Sequence, residues 1–363
     1  MYTFELSDRF LTEKEQEIFE DHLSLYGLDN GIWEVFSSFF KSGLEHTKPL
    51  LLRIFRNSEL FGAIIITKCS RYGKALFDNK FLSWVMNRLI PYYQWIKFGC
   101  CMDMMSNHGF VKEPEKSEEV FKAAVHFLKN HSILTIISDY TENSGLYNGS
   151  SILPSLPHAI IDCSNMESID DYLKDFKNMK RKLRVFEIKG GKYIRVDQNL
   201  DKEQLTFLKK CFLSTAAKSV FYLPYQDLYL NAAITTSSTQ IKNAVYFIAT
   251  MDGEFLGYQA AIKTGQFLNA LHGAFDRNRK TTYHAYDILF VKMTEFALEQ
   301  GLKICDFGAV LNYTKQKMVN KTIDMSYYLF SKYSFTLWFF HRLLKITKIQ
   351  SKTQLKFIDA KGN

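Results

Sequence analysis

Residues 268–318 read LNALHGAFDRNRKTTYHAYDILFVKMTEFALEQGLKICDFGAVLNYTKQKM, and this stretch decides the fold. An apolar run predicts a strand over Phe267–Phe275, followed by a polar loop carrying Arg277, Arg279 and Lys280. Tyr286–Gln300 reads as a helix stopped at Gly301, where a C-cap glycine belongs. Leu302–Cys305 is then a further strand, ending at Asp306. Strand, loop, helix, strand is an α/β unit, and loop amides at a helix N-terminus form a ready anion site, here reinforced by three cations.

On the N-terminal side of this unit, Ala244–Thr250 and Phe255–Ile262 flank Met251-Asp252-Gly253-Glu254, a hairpin with turn chemistry at its tip. The same order occurs earlier. Leu50–Phe55 and Leu60–Thr67 flank the polar turn Arg56-Asn57-Ser58-Glu59, a short strand lies near Trp95–Cys100, a helix spans Glu118–Asn130, and a strand over Ile133–Ser138 ends in Asp139. Ahead of them, 13–41 reads as helical. Hairpin, strand, helix, strand-Asp therefore appears twice, which points to a duplicated α/β domain. Between the copies, a strand over Ala159–Asp162 precedes a helix that starts at Ser168, with Asp170 and Asp171 in its first turn. Gly190-Gly191 then turns the chain into Tyr193–Val196.

The 363 residues exceed one ordinary core and suit two domains of about 150–200 residues each. Proline is scarce and no Gly/Ser-rich linker appears, so the domains are expected to pack closely. The six cysteines form no C-x-x-C pair, which speaks against a zinc site or a disulfide framework and for a reducing, cytoplasmic setting. The N-terminus shows no charged leader before an apolar run, and no apolar segment approaches the roughly 20 residues of a membrane span. A net charge of +8 suits an anionic ligand or partner. P-loop, G-x-S-x-G, H-E-x-x-H and paired Cys/His spacings are all absent from the sequence, which argues against metal-dependent and serine-hydrolase chemistry.

Several short features in order carry a family likeness over residues 155–330. They are Ala274-Phe275-Asp276, the helix through Phe296, Ala297 and Gly301, then Asp306-Phe307-Gly308 and Lys315, with Tyr172-Leu173 and the basic run Lys180-Arg181-Lys182 and Arg184 upstream. Here the chain resembles the GNAT superfamily, in its double-domain branch containing the Fem-type aminoacyl transferases and related bacterial N-acyltransferases. The resemblance implies an α/β (α+β) fold of two tandem GNAT-like domains, 1–165 and 166–340, each a mixed, mostly antiparallel sheet flanked by helices. A basic tail, 341–363, follows. It implies an N-acyltransferase with no tightly bound cofactor, whose co-substrate is acyl-CoA, an acyl carrier protein or aminoacyl-tRNA, and whose acceptor is a small-molecule amine. No DNA partner is expected. One departure bears on the donor: acetyl-CoA-dependent members usually carry an R/Q-x-x-G-x-G/A loop for the pyrophosphate, and the equivalent 279–285 contains no glycine. Close backbone approach to phosphate is harder without it, which leaves room for a carrier-protein thioester or a charged tRNA.

His272 and Asp276 stand four apart on a strand, hence on one face, and a histidine of near-neutral pKa suits removal of the proton from an attacking ammonium; a structural histidine is the other reading. Asp306, at a strand end where ligand crevices form, is the alternative base or amine anchor. The family likeness places a lysine beyond Asp-Phe-Gly in the active site, which is Lys315, or else Lys317, with Tyr313 and Lys317 against the substrate. Donor phosphates fall to Arg277, Arg279, Lys280, Thr281, Tyr283 and His284, with Arg181 and Arg184 on the basic helix. The alternatives are a Fem-type amino-acid transferase using aminoacyl-tRNA, and a catalytically silent GNAT-fold binding module. The silent module would be favoured if His272, Asp306 and Lys315 fell on different faces. Near the C-terminus, the aromatic and basic run from Phe335 is expected to pack its rings on the core, with peripheral contact to a membrane surface as the other reading.

Overall fold

A computed structural model of the chain describes residues 2–41, 47–69, 93–97, 109–154, 157–217, 241–276, 284–309, 317–338 and 342. Eight strands form a first sheet: β1 (Tyr2–Ser7), β2 (Thr47–Arg56), β3 (Glu59–Cys69), β4 (Tyr93–Lys97), β5 (Phe110–Val111), β6 (Thr135–Tyr140), β7 (Ser151–Pro154) and, from far along the chain, β15 (Met325–Phe330). Their order is β1-β2-β3-β4-β6-β15-β7, with β5 on β3. Seven form a second sheet: β8 (His158–Asp162), β9 (Gly191–Asp197), β10 (Ala244–Met251), β11 (Glu254–Thr264), β12 (Phe267–Phe275), β13 (Ile304–Ala309) and β14 (Lys321–Ile323), in the order β9-β10-β11-β12-β13-β8-β14. The helices are α1 (Glu13–Glu17), α2 (Glu20–Leu25), α3 (Gly31–Lys41), α4 (Ser117–His131), α5 (Ile169–Asp175), α6 (Lys177–Ile188), α7 (Lys202–Ala217) and α8 (Ala285–Glu299). This is a mixed α/β fold with mostly antiparallel sheets, as the sequence leads one to expect.

The two sheets share one plan. Each opens with an edge strand and a hairpin, and each contains a parallel pair, β4 with β6 and β12 with β13. A helix lies in the connection between the paired strands, α4 in one and α8 in the other, because parallel neighbours need a crossover. Both hairpins turn on two residues of positive φ, Asn57 (54°) with Ser58 (66°) and Asp252 (53°) with Gly253 (79°), whose twist matches that of the flanking strands. Helix α5 starts where Ser168 predicts. The Asp171 carboxyl accepts from the backbone of Glu167 and Ser168, and Lys174 with these N–H groups holds it down at about 2. The N-terminal helix expected over 13–41 is instead three: a Thr12/Glu15 capping box starts α1, and Gly27, at φ 67°, turns the chain after α2.

The ends of the two copies are exchanged. Strand β8 follows β7 in sequence yet completes the second sheet, between β13 and β14. Strand β15 follows β14 yet completes the first, between β6 and β7. A boundary at 165/166 thus parts each of these strands from the sheet it serves, and no single cut in the chain separates the sheets.

Three cores result. One lies under α4 on the first sheet and is built from Ile64, Ile66, Phe121, Leu128, Tyr147 and Tyr328. Another packs α5, α6 and α8 on the second sheet through Tyr172, Phe186, Phe247, Phe290 and Phe307. The middle core takes Trp33, Phe36, Leu51, Ile65 and Phe110 from the first half and Tyr246, Tyr258, Ile262 and Ala274 from the second, with Leu208 and Cys211 of α7. Of the C-terminal aromatics expected to pack on the core, Phe335 and Trp338 belong to none of these clusters, and Phe339 and Phe340 lie outside the described residues. Phe335 and Trp338 are exposed, because the face of the first sheet at β15 is already filled by Phe121, Tyr147 and Phe330.

A backbone contact supplements the middle core. The N–H of Gln266, in the β11–β12 turn, donates to Gly27 O at 2.8 Å, and Gly265 (φ 57°) fits beneath it with no room for a side chain. A Cβ there would lie 2.1 Å from Gly27 O. Gly265→Ala is therefore expected to cost about 1–3 kcal/mol through overpacking and left-handed strain. Urea denaturation checks this, and an unchanged midpoint would show that the two turns are not locked together.

Candidate active site

Strands β12 and β13 pair over three positions only, Phe267 with Ile304, Leu268 with Cys305 and Asn269 with Asp306, although β12 continues to Phe275 and β13 to Ala309. Beyond Asn269 and Asp306 the parallel strands part. Two irregularities accompany the parting. The β11–β12 ladder shifts between Ala260 and Ala261, which leaves Leu271 as the extra residue of a bulge. The β13–β8 ladder shifts between Asp306 and Ala309. Each residue of Asp306-Phe307-Gly308 has its own task here. Asp306 Oδ1 accepts from the Gly308 N–H at 2.7 Å, Phe307 stacks on Phe290 at 3.8 Å between centroids, and Gly308 supplies the positive φ of 69°.

Polar side chains gather at the vertex of this wedge. Asp306 is wholly buried, and its Oδ2 lies 3.4 Å from Nδ1 of His158, itself buried on β8. Asn269, paired with Asp306 and on the same face, donates through Nδ2 to Thr264 Oγ1 at 2.9 Å, while its buried Oδ1 meets no partner among the described residues. A carboxylate persists in such a place only when paired and hydrogen bonded. Chemically, the vertex offers a carboxyl group backed by an imidazole, both buried, where two parallel strands diverge.

At the other side of the wedge α8 begins. His284 is its N-cap residue, with φ 65°, and Asp287 sits in the first turn. Asp287 Oδ2 accepts from Lys182 Nζ of α6 at 2.7 Å and lies 3.5 Å from Nδ1 of His284; both Lys182 and Asp287 are largely buried. The positive end of the helix dipole is therefore already met by a carboxylate of the chain.

The model of the acetyltransferase (GNAT) domain family matches residues 174–315. These residues are a GNAT acyltransferase domain. No curated protein matches the chain significantly in sequence. Among solved structures, L-PGS from Bacillus licheniformis is similar at TM-score 0.56 and 14% identity, over 93% of this chain and 99% of that one. FemX is similar at 0.55 and 13%, over 90% and 97%. A tandem GNAT protein from the clavulanic acid biosynthesis pathway is similar at 0.51 and 11%, over 90% and 98%. At these identities the likeness concerns fold, and it runs the length of the chain, in agreement with two sheets of one plan.

Within the GNAT domain, the residues singled out from sequence fall into groups. Asp306 is at the vertex. His272 shares its face of the sheet but has other neighbours: the Tyr258 hydroxyl is hydrogen bonded to Nδ1 at 3.0 Å, Phe212 of α7 packs edge-on, and the buried Nε2 meets no polar partner among the described residues. Asp276 lies just past β12, its N–H bonded to Leu256 O; burial, with the Asp276 charge adding to it, pushes the nearby Cys211 thiol up to about 12. Arg181 and Arg184 are exposed on α6, Arg181 donating to Asn178, whereas Lys182 turns in to Asp287. Lys317 is exposed just before Met318, whose carbonyl accepts from the Tyr172 hydroxyl at 2.8 Å. Arg277, Arg279, Lys280, Thr281, Tyr283, Tyr313 and Lys315 lie outside the described residues. Among the described residues no group of three His, Cys, Asp or Glu is placed to hold a metal.

The sequence reading passed over His158, Asn269 and Asp287. Asp287 carried a signal, an acid in a helix's first turn. For His158 and Asn269 no local pattern exists.

Burial alone drives the His272 pKa from 6.5 down to about 3, so the ring is neutral in the fold and a weak base near pH 7. Once unfolded it takes up a proton below pH 6.5. Unfolding therefore binds one more proton between about pH 3 and 6.5, and this contribution to stability is lost as pH falls. Wild type is expected to lose its stability advantage over His272→Gln as pH drops from 6.5 towards 3 in urea titrations. A difference independent of pH would mean that the ring is not held neutral.

Proposed function

We propose that this protein transfers an acyl group from an activated donor to an amine, with Asp306 and His158 receiving the amine's proton. The observation that carries the reading is the buried Asp306–His158 pair at the vertex where β12 and β13 part inside a GNAT domain. An acceptor arrives largely as an ammonium. Asp306, as a carboxylate, takes up this proton and becomes neutral, with His158 holding it in position. The neutral nitrogen then attacks the acyl carbonyl, the new C–N bond forms, the C–S or C–O bond to the donor breaks, and the nitrogen's second proton passes to the departing sulfur or oxygen. Positioning and oxyanion stabilisation supply much of the remaining rate, and the family likeness assigns the developing negative charge to Lys315. Asp306→Asn is expected to lower kcat by about 10²–10⁴ while the melting curve stays cooperative, and His158→Gln to lower it less. Near wild-type turnover in folded Asp306→Asn would remove the assignment.

For the donor, the first reading is a thioester on coenzyme A or an acyl carrier protein, its phosphates held by the loop 277–284. A second reading, aminoacyl-tRNA, is favoured by the Lys182–Asp287 pair. That pair places a carboxylate at the helix end where a free diphosphate would otherwise dock, beside a glycine-free loop. The exposed cations Lys177, Lys180, Arg181 and Arg184 on α6 suit a longer polyanion. Incubation with acyl-CoAs, acylated carrier protein and charged tRNA in turn, read by mass spectrometry, is expected to show acyl loss from one donor class. Acyl transfer from none, across a panel of amines, would leave the GNAT fold here as a silent module.

A further inference from the structure

The vertex holds one polar group that acyl transfer by Asp306 and His158 leaves without a role. Asn269 is only 2% exposed, and its side chain is half satisfied: Nδ2 donates to Thr264 Oγ1 at 2.9 Å, while the buried Oδ1 meets no partner among the described residues. A buried acceptor left in this state costs stability, and a fold tolerates it where a ligand brings the missing donor.

Strand order shows where that donor would sit. Asn269 lies on β12 between Ile262 of β11 and Asp306 of β13, and residues opposed across a ladder share a face of the sheet. Thr264 opposes Phe267, so from Asn269 it stands on the β11 side and towards the start of β12. The amide is planar, with its nitrogen and oxygen on diverging arms. With Nδ2 turned to Thr264, Oδ1 is left facing the other way, towards β13 and the end at which the wedge opens. Asp306 stands there, on a strand roughly 5 Å away. Its oxygens already have company, the Gly308 N–H on Oδ1 and His158 Nδ1 at Oδ2, so the carboxyl does not need the amide as a donor. The face presents a carboxyl and an amide oxygen side by side, and the complementary group is a small cation with several directed N–H bonds, an ammonium.

The protons of the reaction give the amide oxygen a function of its own. In the acyl transfer proposed above, on which this inference rests, an R–NH3+ acceptor yields one proton to Asp306 and a second to the departing sulfur or oxygen. The third stays on nitrogen as the N–H of the product amide. We propose that Asn269 Oδ1 accepts this third N–H, from the docked ammonium through to the product, and thereby selects acceptors by their number of N–H groups. A primary amine has a proton to keep for Asn269. A secondary amine gives up both of its protons, and the buried oxygen is orphaned again as the new bond forms. Thr264 is a positioning residue: its contact with Nδ2 aims the oxygen into the wedge.

Melting curves of the full chain in methylammonium chloride and in trimethylammonium chloride, at equal concentration, test the contact without turnover. The two cations carry the same charge, but trimethylammonium has a single N–H and serves only one of the two oxygens. Wild type is expected to melt about 2 °C or more higher in methylammonium. Asn269→Leu, close in size but with no acceptor, is expected to abolish that difference while melting no lower than wild type in the absence of amine, since it removes an orphaned group. Thr264→Val, a gentler change, is expected to reduce the difference. In the donor assays, the preference for a primary amine over its N-methyl derivative is expected to fall about tenfold in kcat/KM in Asn269→Leu. Equal melting of wild type in the two salts would overturn the proposal. So would a difference that persists in Asn269→Leu, as it would if the size of the cation alone set it. Failure of the acyl-transfer reading shows elsewhere, as turnover retained in Asp306→Asn, because the melting comparison reads amine binding only.

Discussion

Strand β13 needs a hydrogen-bonding partner on the side away from β12, and the partner it finds comes from the other copy of the fold. Buried backbone N–H and C=O groups must be paired, so a GNAT-type sheet is incomplete until that position is filled. Here β8 fills it for the second sheet and β15 for the first. The exchange binds the halves more firmly than side-chain packing alone, since neither sheet is whole without a strand that lies on the far side of the chain. It also delivers the site: His158 is the first residue of β8, and the ladder shift opposite it sets its ring against Asp306.

The two buried histidines of the second sheet show how neighbours decide chemistry. His158 faces a carboxylate, its Nδ1 lying 3.4 Å from Asp306 Oδ2. His272 faces a phenol, an aromatic edge and apolar side chains, and is kept neutral. Both rings are almost equally buried. Depth is therefore a poor guide to function here, and the partner is a good one.

The start of α8 bears on the donor in the same way. A helix N-terminus attracts anions, but this one already holds Asp287, tied to Lys182 of α6. A diphosphate docking there would have to displace or share that carboxylate, at a site whose loop lacks the glycines that permit close backbone approach. A donor gripped along exposed α6 would not meet this obstacle. Past β15, the exchanged strand that closes the first sheet, the chain carries the exposed rings of Phe335 and Trp338.

Much of the secondary structure was legible in the sequence because it rests on local chemistry. Asn57-Ser58 and Asp252-Gly253 mark their hairpins through backbone preference, Ser168 and Asp171 cap their helix within one turn, and Gly301 ends another. The order of elements, read twice, disclosed the duplicated plan, and Asp306 was legible as a polar residue at a strand end. The exchange of β8 and β15 was not, since both strands are short, largely apolar runs whose own sequence does not mark the sheet they join; only the packing of the whole chain decides it. For the same reason His158 and Asn269 were invisible, being 148 and 37 residues from Asp306 in sequence and neighbours only through strand register. His272 had the spacing of a catalytic residue and the surroundings of a structural one. By itself the sequence determined which segments become strands and helices, because those choices are made within a few residues. The tertiary structure decided which side chains meet, because desolvation and pairing act between segments that the sequence holds far apart.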